Sequence, residues 1–155
     1  MKTILILGCS SKKLDHITEV VNLYQGGLWK IIRKRRPAVE LYALSAKHGL
    51  VLAVKEVEPY DLALGRKTDD KFIEMVRYQF RSQLLSGFEG NIYFCGSRRY
   101  YRHLTLALSG KEIHRLPETP RGIGDMQAAL VDFCESHQGT DVPHWHNAIE
   151  KENEV

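Results

Sequence analysis

Two carboxylates flank an aromatic ring in the segment Glu58, Pro59, Tyr60, Asp61, where the proline pins a turn. A carboxylate that activates water, with a cation or histidine to stabilise a departing base, is the minimum equipment for cleaving a glycosidic bond. Asp61 and Glu58 are therefore the candidate general bases. A plainer reading stands on equal terms: Asp61 caps a helical turn at Leu62, Ala63 and Leu64, and Glu58 is solvated. The run Ser45, Ala46, Lys47, His48, Gly49 carries the complementary chemistry. A lysine and a histidine directly after an apolar run are uncomfortable in a core, and the glycine lets the chain turn, so both are expected in a crevice. His48 can shuttle a proton or donate to an anionic leaving group, and Lys47 can hold a phosphate or a carboxylate.

Anion-binding chemistry is concentrated elsewhere. Gly8, Cys9, Ser10, Ser11 and Lys12 combine small hydroxyl residues, a glycine and a cation, which suits a phosphate loop without the P-loop spacing; an exposed polar turn is the alternative. Ser97, Arg98, Arg99, Tyr100, Tyr101 and Arg102 interleave cations with aromatics, the combination that grips phosphates while stacking a base. One of the two tyrosines is expected to pack and the other to reach the crevice, with Tyr60 or Tyr101 as the stacking ring. Gly122 and Gly124 open a helix that carries Gln127. Lys30, Arg33, Lys34, Arg35 and Arg36 read as the solvated outer face of another helix. His144 and His146 can meet a metal from an extended strand, but no cysteine or carboxylate is spaced to join them. No metal site and no cofactor are expected.

The elements that must position these residues follow from periodicity. Residues 3–7, 41–44 and 91–95 are continuous apolar runs, the pattern of strands buried on both faces, and 112–116 is a weaker run stopped by Pro117, which suits an edge. Between them the period becomes helical. Leu28, Ile31 and Ile32 share a stripe that Pro37 stops, and Gly26 and Gly27 separate it from an earlier turn holding Val20, Val21 and Tyr24. Thr68 suits an N-cap for a helix with Phe72, Val76, Phe80 and Leu84 on one face, closed by Gly87. Two further helices are expected at about 99–109 and 125–137. The alternation implies an α/β three-layer sandwich with a mainly parallel sheet of about four strands, in the order 2-1-3-4. In such a sheet ligands bind beyond the carboxyl ends of the strands, which is where all the candidate loops fall. The aperiodic stretch 50–67 is long for a loop, and loops of that length are commonly functional.

With 155 residues, 43% of them hydrophobic and 26% charged, the chain suits one domain over residues 1–138, followed by a loose or docked extension over 139–155. A formal charge of +3 is too mild to declare a nucleic-acid binder, but clustering can still concentrate it, and the tail, with three glutamates against one lysine, leaves the body more basic. No run approaches the ~20 apolar residues of a membrane span, and no signal peptide is expected. Three widely spaced cysteines argue for a reducing cytoplasm. Cys9 and Cys95 end neighbouring strands in the order above. They are redox-sensitive if they come close, and otherwise small buried hydrophobes.

Several ordered motifs together resemble a bacterial and phage domain family of unknown function, marked by the Ser45-to-Gly49 run. The matching residues are Gly8, Cys9, Ser10, Lys12, Lys13 and Leu14; Leu23 and Tyr24; Leu44 to Leu50; Glu58 to Leu62; Gly96, Tyr100, Tyr101, Arg102 and Leu104; and Gly122, Ile123, Gly124 and Gln127. That family is more distantly similar to the C-terminal domain of archaeosine synthase and, through it, to the uracil-DNA glycosylase-like α/β fold. The resemblance implies a three-layer domain acting on a nucleotide, a modified base or a nucleic acid. The water-activating motif of the uracil glycosylases is missing after the first strand, so a modified base or a non-hydrolytic transfer is easier to accommodate than uracil excision. The expected function is base or glycosidic-bond chemistry in a phosphate-binding crevice. Within it Ser10, Ser11, Lys12 and Arg98 hold phosphate, Asp61 or Glu58 acts as base, and His48 with Lys47 stabilises the leaving group. The alternative is a non-catalytic nucleotide or nucleic-acid-binding module using the same crevice.

Overall fold

A computed structural model describes residues 2–83 and 87–153. The four apolar runs become β1 (Thr3–Gly8), β3 (Glu40–Ser45), β6 (Asn91–Cys95) and β7 (Ile113–Arg115). They form the parallel part of a five-stranded sheet whose fifth strand, β4 (Gly49–Leu52), lies antiparallel to β3 at one edge, giving the order β4-β3-β1-β6-β7. β7 is the other edge.

Alternation along the central strands divides the core in two. Leu5, Leu7, Leu41 and Ala43 face α1 (Val20–Leu23), α2 (Gly27–Arg35) and α5 (Ile123–Ser136), while Ile4, Ile6, Tyr42 and Leu44 face α3 (Asp70–Gln83) and α4 (Arg98–Ala107). Helices thus cover both faces of an α/β sheet, so β1 is apolar at every position from Ile4 to Leu7. The tail packs on the first of these faces through α6 (His144–Ala148). Trp145 is only 2% exposed and donates its indole N–H to the Val39 carbonyl at 2.8 Å, and Ile149 is buried beside it.

Three expectations are corrected. The stretch 50–67 is not one loop: its apolar start, Leu50 to Leu52, pairs with β3 because Gly49 adopts φ +72° and reverses the chain, and β5 (Glu56–Val57) pairs with β2 (Thr18–Glu19). Only the part from Glu58 onward is irregular, and no helical turn forms at Leu62 to Leu64. The cap of α3 is Asp69 rather than Thr68, its carboxylate accepting the Phe72 N–H at 3.1 Å. Leu84, placed on the same apolar face by periodicity, lies outside the described residues. Arg33 is not on a solvated face. It is 2% exposed, its guanidinium donating to the carbonyls of Val21, Tyr24 and Asn153, because the tail covers the side of α2 that a bare helix would show to water.

Candidate functional site

The carboxyl ends of β1 and β6 meet at two glycines. A side chain on Gly96 would lie 3.2 Å from the Gly8 Cα and 2.8 Å from the Phe94 ring, so the end of β6 can carry no bulk there. The space above them is a cleft of about 220 Å³. Cys9 and Ser10 form one rim, Ser97 another, and Leu28, Trp29, Ile123 and Met126 an apolar wall. Trp29 is fixed by its own N–H, which donates to the Gly8 carbonyl at 2.8 Å.

Three helices begin at this cleft. Gly26 is the N-cap of α2, Ser97 of α4 and Gly122 of α5, and none of the three forms a side-chain cap. Each therefore presents first-turn backbone N–H groups that its own cap leaves open, at the positive end of its dipole. The serine loop is tied to one of them: the Ser10 hydroxyl accepts the Gly26 N–H at 3.2 Å and donates to the Lys12 carbonyl at 2.9 Å. Lys12 and Arg98 extend into solvent on either side, with no intramolecular side-chain partner among the described residues.

Behind Cys9, on the β3 side, lies a chain of hydroxyls. The His48 backbone N–H donates to the Ser45 hydroxyl at 3.0 Å, which donates to Tyr60 at 2.7 Å, and Tyr60 is 2.7 Å from the Tyr24 hydroxyl. A backbone amide can only donate, which orients the first link. Lys13 places its ammonium 4.5 Å from the centre of the Tyr60 ring, and His48 meets the same ring edge-on at 5.2 Å. Burial pushes the Tyr24 phenol up to about 12 and raises Tyr60 further, with the neighbouring Tyr24 and Cys9 adding to it, so both remain protonated donors at neutral pH. Burial also holds the His48 imidazole below its ordinary value, which the Glu58 backbone carbonyl partly offsets and Lys47 and Lys55 reinforce. Its Nε2 is enclosed without a hydrogen bond of regular geometry.

The sequence candidates are distributed unevenly over this arrangement. Cys9, Ser10 and Ser97 line the cleft, and Ser11, Lys12 and Arg98 stand exposed at its rim. Gln127 reaches it only through Gly27, where an added side chain would strike the Gln127 amide. Gly122 and Gly124 are exposed with open space around them, so they serve the start of α5 rather than a close approach. Ser45, Tyr60 and His48 belong to the hydroxyl chain. Lys47, Glu58 and Asp61 are exposed. Tyr101 faces away, its hydroxyl on the Ile113 carbonyl at 3.2 Å and Arg115 over its ring, whereas Tyr100 is buried with its hydroxyl against Cys9 and the Leu64 N–H. Lys12, His48, Asp61, Arg98 and Gln127, all expected in one crevice, do not line this cleft.

Sequence reasoning passed over the α2 side of the site. Gly26 and Gly27 were legible as a helix break, and the same pair was the signal that a helix starts there without side chains to block its N–H groups. His146, considered for a metal, is engaged with the Pro37 carbonyl at 2.9 Å. Cys95 and Cys134 lie in one core cluster and Cys9 packs against it half-buried; the Cys95 thiol is directed at the Met126 carbonyl.

Residues 4–129 match the profile of a family of unknown function, DUF6884. No curated protein matches the chain.

Proposed function

The chain belongs to the family of unknown function DUF6884, and we propose that it binds a nucleotide, or a nucleotide unit of a nucleic acid, in the cleft between β1 and β6. The observation that carries this reading is the meeting of three uncapped helix N-termini at one small cavity. Open N–H groups and three dipole ends favour a phosphate or the carbonyl edge of a base, and Lys12 and Arg98 add charge at the rim. Trp29, Leu28, Met126 and Ile123 supply an apolar face for a ring. A kinship with the uracil-DNA glycosylase-like fold and with archaeosine synthase belongs to the same proposal. It is supported by parallel strands between two helical layers, with the cleft at their carboxyl ends.

Cleavage or transfer at the glycosidic bond is the catalytic form of this reading, with Asp61 or Glu58 as base and His48 and Lys47 on the leaving group. Both carboxylates stand in solvent outside the cleft, so the geometry favours binding over cleavage by these groups. Calorimetric titration with inorganic phosphate, nucleoside monophosphates and short modified and unmodified oligonucleotides tests the proposal. In Ser97→Asp the new carboxylate caps α4 and occupies its N–H groups, so stability is expected to hold or rise while nucleotide affinity falls at least about tenfold. Absence of binding by every ligand, or wild-type affinity in Ser97→Asp, sinks it. Base release that is lost in Asp61→Ala or Glu58→Ala would restore the catalytic form.

A further inference from the structure

A cationic hollow lies between the C-terminal turns of α3 and α4, where α3 leads back towards β6 and α4 towards β7. It has a volume of about 470 Å³ and is lined by Arg77, Arg81 and Lys111 with Phe80, Leu108 and Ser109, and among the described residues no carboxylate lines it. An adjoining hollow of about 250 Å³ shares Arg77 and Arg81 and adds Tyr78 and Glu74.

The fold accounts for only part of this set. Arg77 donates to the carbonyls of Leu106 and Ala107, where it offsets the negative end of α4, and the Lys111 ammonium holds the Phe88 carbonyl, tying the approaches to β6 and β7 together. Two residues have no such task. Arg81 is exposed and makes no side-chain bond among the described residues, and Tyr78 is 72% exposed on the same side of α3. An exposed aromatic ring and a guanidinium with no side-chain partner among the described residues share the smaller hollow with Glu74, beside the larger one that two anchored cations make positive, and a ring next to such a set can stack a base while the cations neutralise the adjoining phosphodiester.

We propose that the two adjoining hollows together bind single-stranded nucleic acid, with Tyr78 as the stacking platform and Arg81, Arg77 and Lys111 facing the phosphodiester backbone. The cationic rim alone would accept any anion; the ring selects a strand with unpaired bases. The site is separate from the cleft and does not depend on it.

Fluorescence anisotropy with a labelled single-stranded DNA of about 12 nucleotides, measured over a range of salt concentrations, tests the proposal. Tyr78→Ala is expected to weaken binding at least about fivefold. Arg81→Glu is expected to weaken it further and to reduce the slope of log affinity against log salt by about 0.7 for the lost phosphate contact. Both side chains are exposed, so circular dichroism and the melting temperature should be unchanged, and mononucleotide binding at the cleft should persist in both variants. Failure of the wild-type protein to bind the strand, or wild-type affinity and salt slope in the Tyr78→Ala, Arg81→Glu double variant, overturns the proposal. So does equal binding of duplex DNA that Tyr78→Ala leaves untouched, because the surface is then a general positive field. Loss of mononucleotide binding in Ser97→Asp with strand binding retained would separate the two sites.

Discussion

The tail anchor and the strand-end cleft are both rich in polar groups, and they differ in who satisfies them. At the anchor the chain does. Asn22, fully buried, donates to the Ala148 carbonyl and accepts the Glu150 N–H, and Arg33 fills three carbonyls including that of Asn153. At the cleft the opposite holds: three helix starts are uncapped, and Lys12 and Arg98 at its rim reach into water. Buried polar groups that close on one another hold a fold together, whereas groups left open at a concave surface are available to a ligand.

Mutations can break this contrast or sharpen it. The largest effect is expected at the anchor. Trp145→Ala removes a buried ring and its hydrogen bond to Val39 and should cost about 4 kcal/mol in urea denaturation, without changing the affinity of nucleotide for the undenatured protein. Arg33→Met leaves three carbonyls short of a donor and should cost about 2 to 3 kcal/mol. A measured cost near zero would mean that the anchor is as open as the cleft, and the contrast would fail. Tyr60→Phe removes the middle of the hydroxyl chain and should cost about 1 kcal/mol, a value that places this chain between the two regions.

A smaller response is expected to acid, to which the tail anchor and the hydroxyl chain each contribute one histidine. Burial lowers both His48 and His146 relative to an ordinary imidazole, so the unfolded chain takes up protons first as the pH falls. Stability should therefore be full above the ordinary histidine range and decline as pH drops below about 6.5. Denaturation midpoints of His48→Gln and His146→Gln between pH 7.5 and 5 should each show a shallower decline than the wild type; an unchanged slope in either would remove that residue from the account. The alkaline limit has the reverse sign. Cys95, Cys134 and Tyr24 are all pushed up to about 12 by burial, so the stability they contribute is present at neutral pH and is lost as pH rises from the ordinary thiol and phenol ranges towards about 12. The smallest effect belongs to the exposed carboxylates: Asp61→Ala should change stability by less than about 0.5 kcal/mol and leave nucleotide affinity unaltered. A large loss of affinity there would return Asp61 to the site.

Much of the architecture was legible because buried strands and amphipathic helices impose periods on a sequence. The runs at 3–7 and 91–95 could be read as neighbours of two helical layers because they are apolar at successive positions. β4 was missed although Leu50 to Val54 is an apolar run, because it follows β3 almost at once; only the reversal at Gly49 and the pairing with β3 make its start a strand. In the site, Cys9, Ser10 and Ser97 were found because they directly follow strands. Tyr101 was preferred to Tyr100 because a one-residue choice on a helix is a 100° rotation, and nothing in the local pattern says which of two tyrosines meets Cys9.

What the chain by itself determined is the set of elements and the edge at which its chemistry gathers: hydrophobic period selects strand or helix, and crossover connections in a parallel sheet bring the ends of β1, β3, β6 and β7 to one side. Tertiary structure decided which side chains at that edge are still available. Arg33 and Lys12 have similar charge and both lie in cationic stretches, yet the docked tail closes over one and leaves the other in water. Availability depends on what packs from elsewhere in the chain. Glu58 and Asp61 attract attention in sequence and point into solvent, while Gly26 and Gly27, with no side chains to notice, open the helix that faces the cleft.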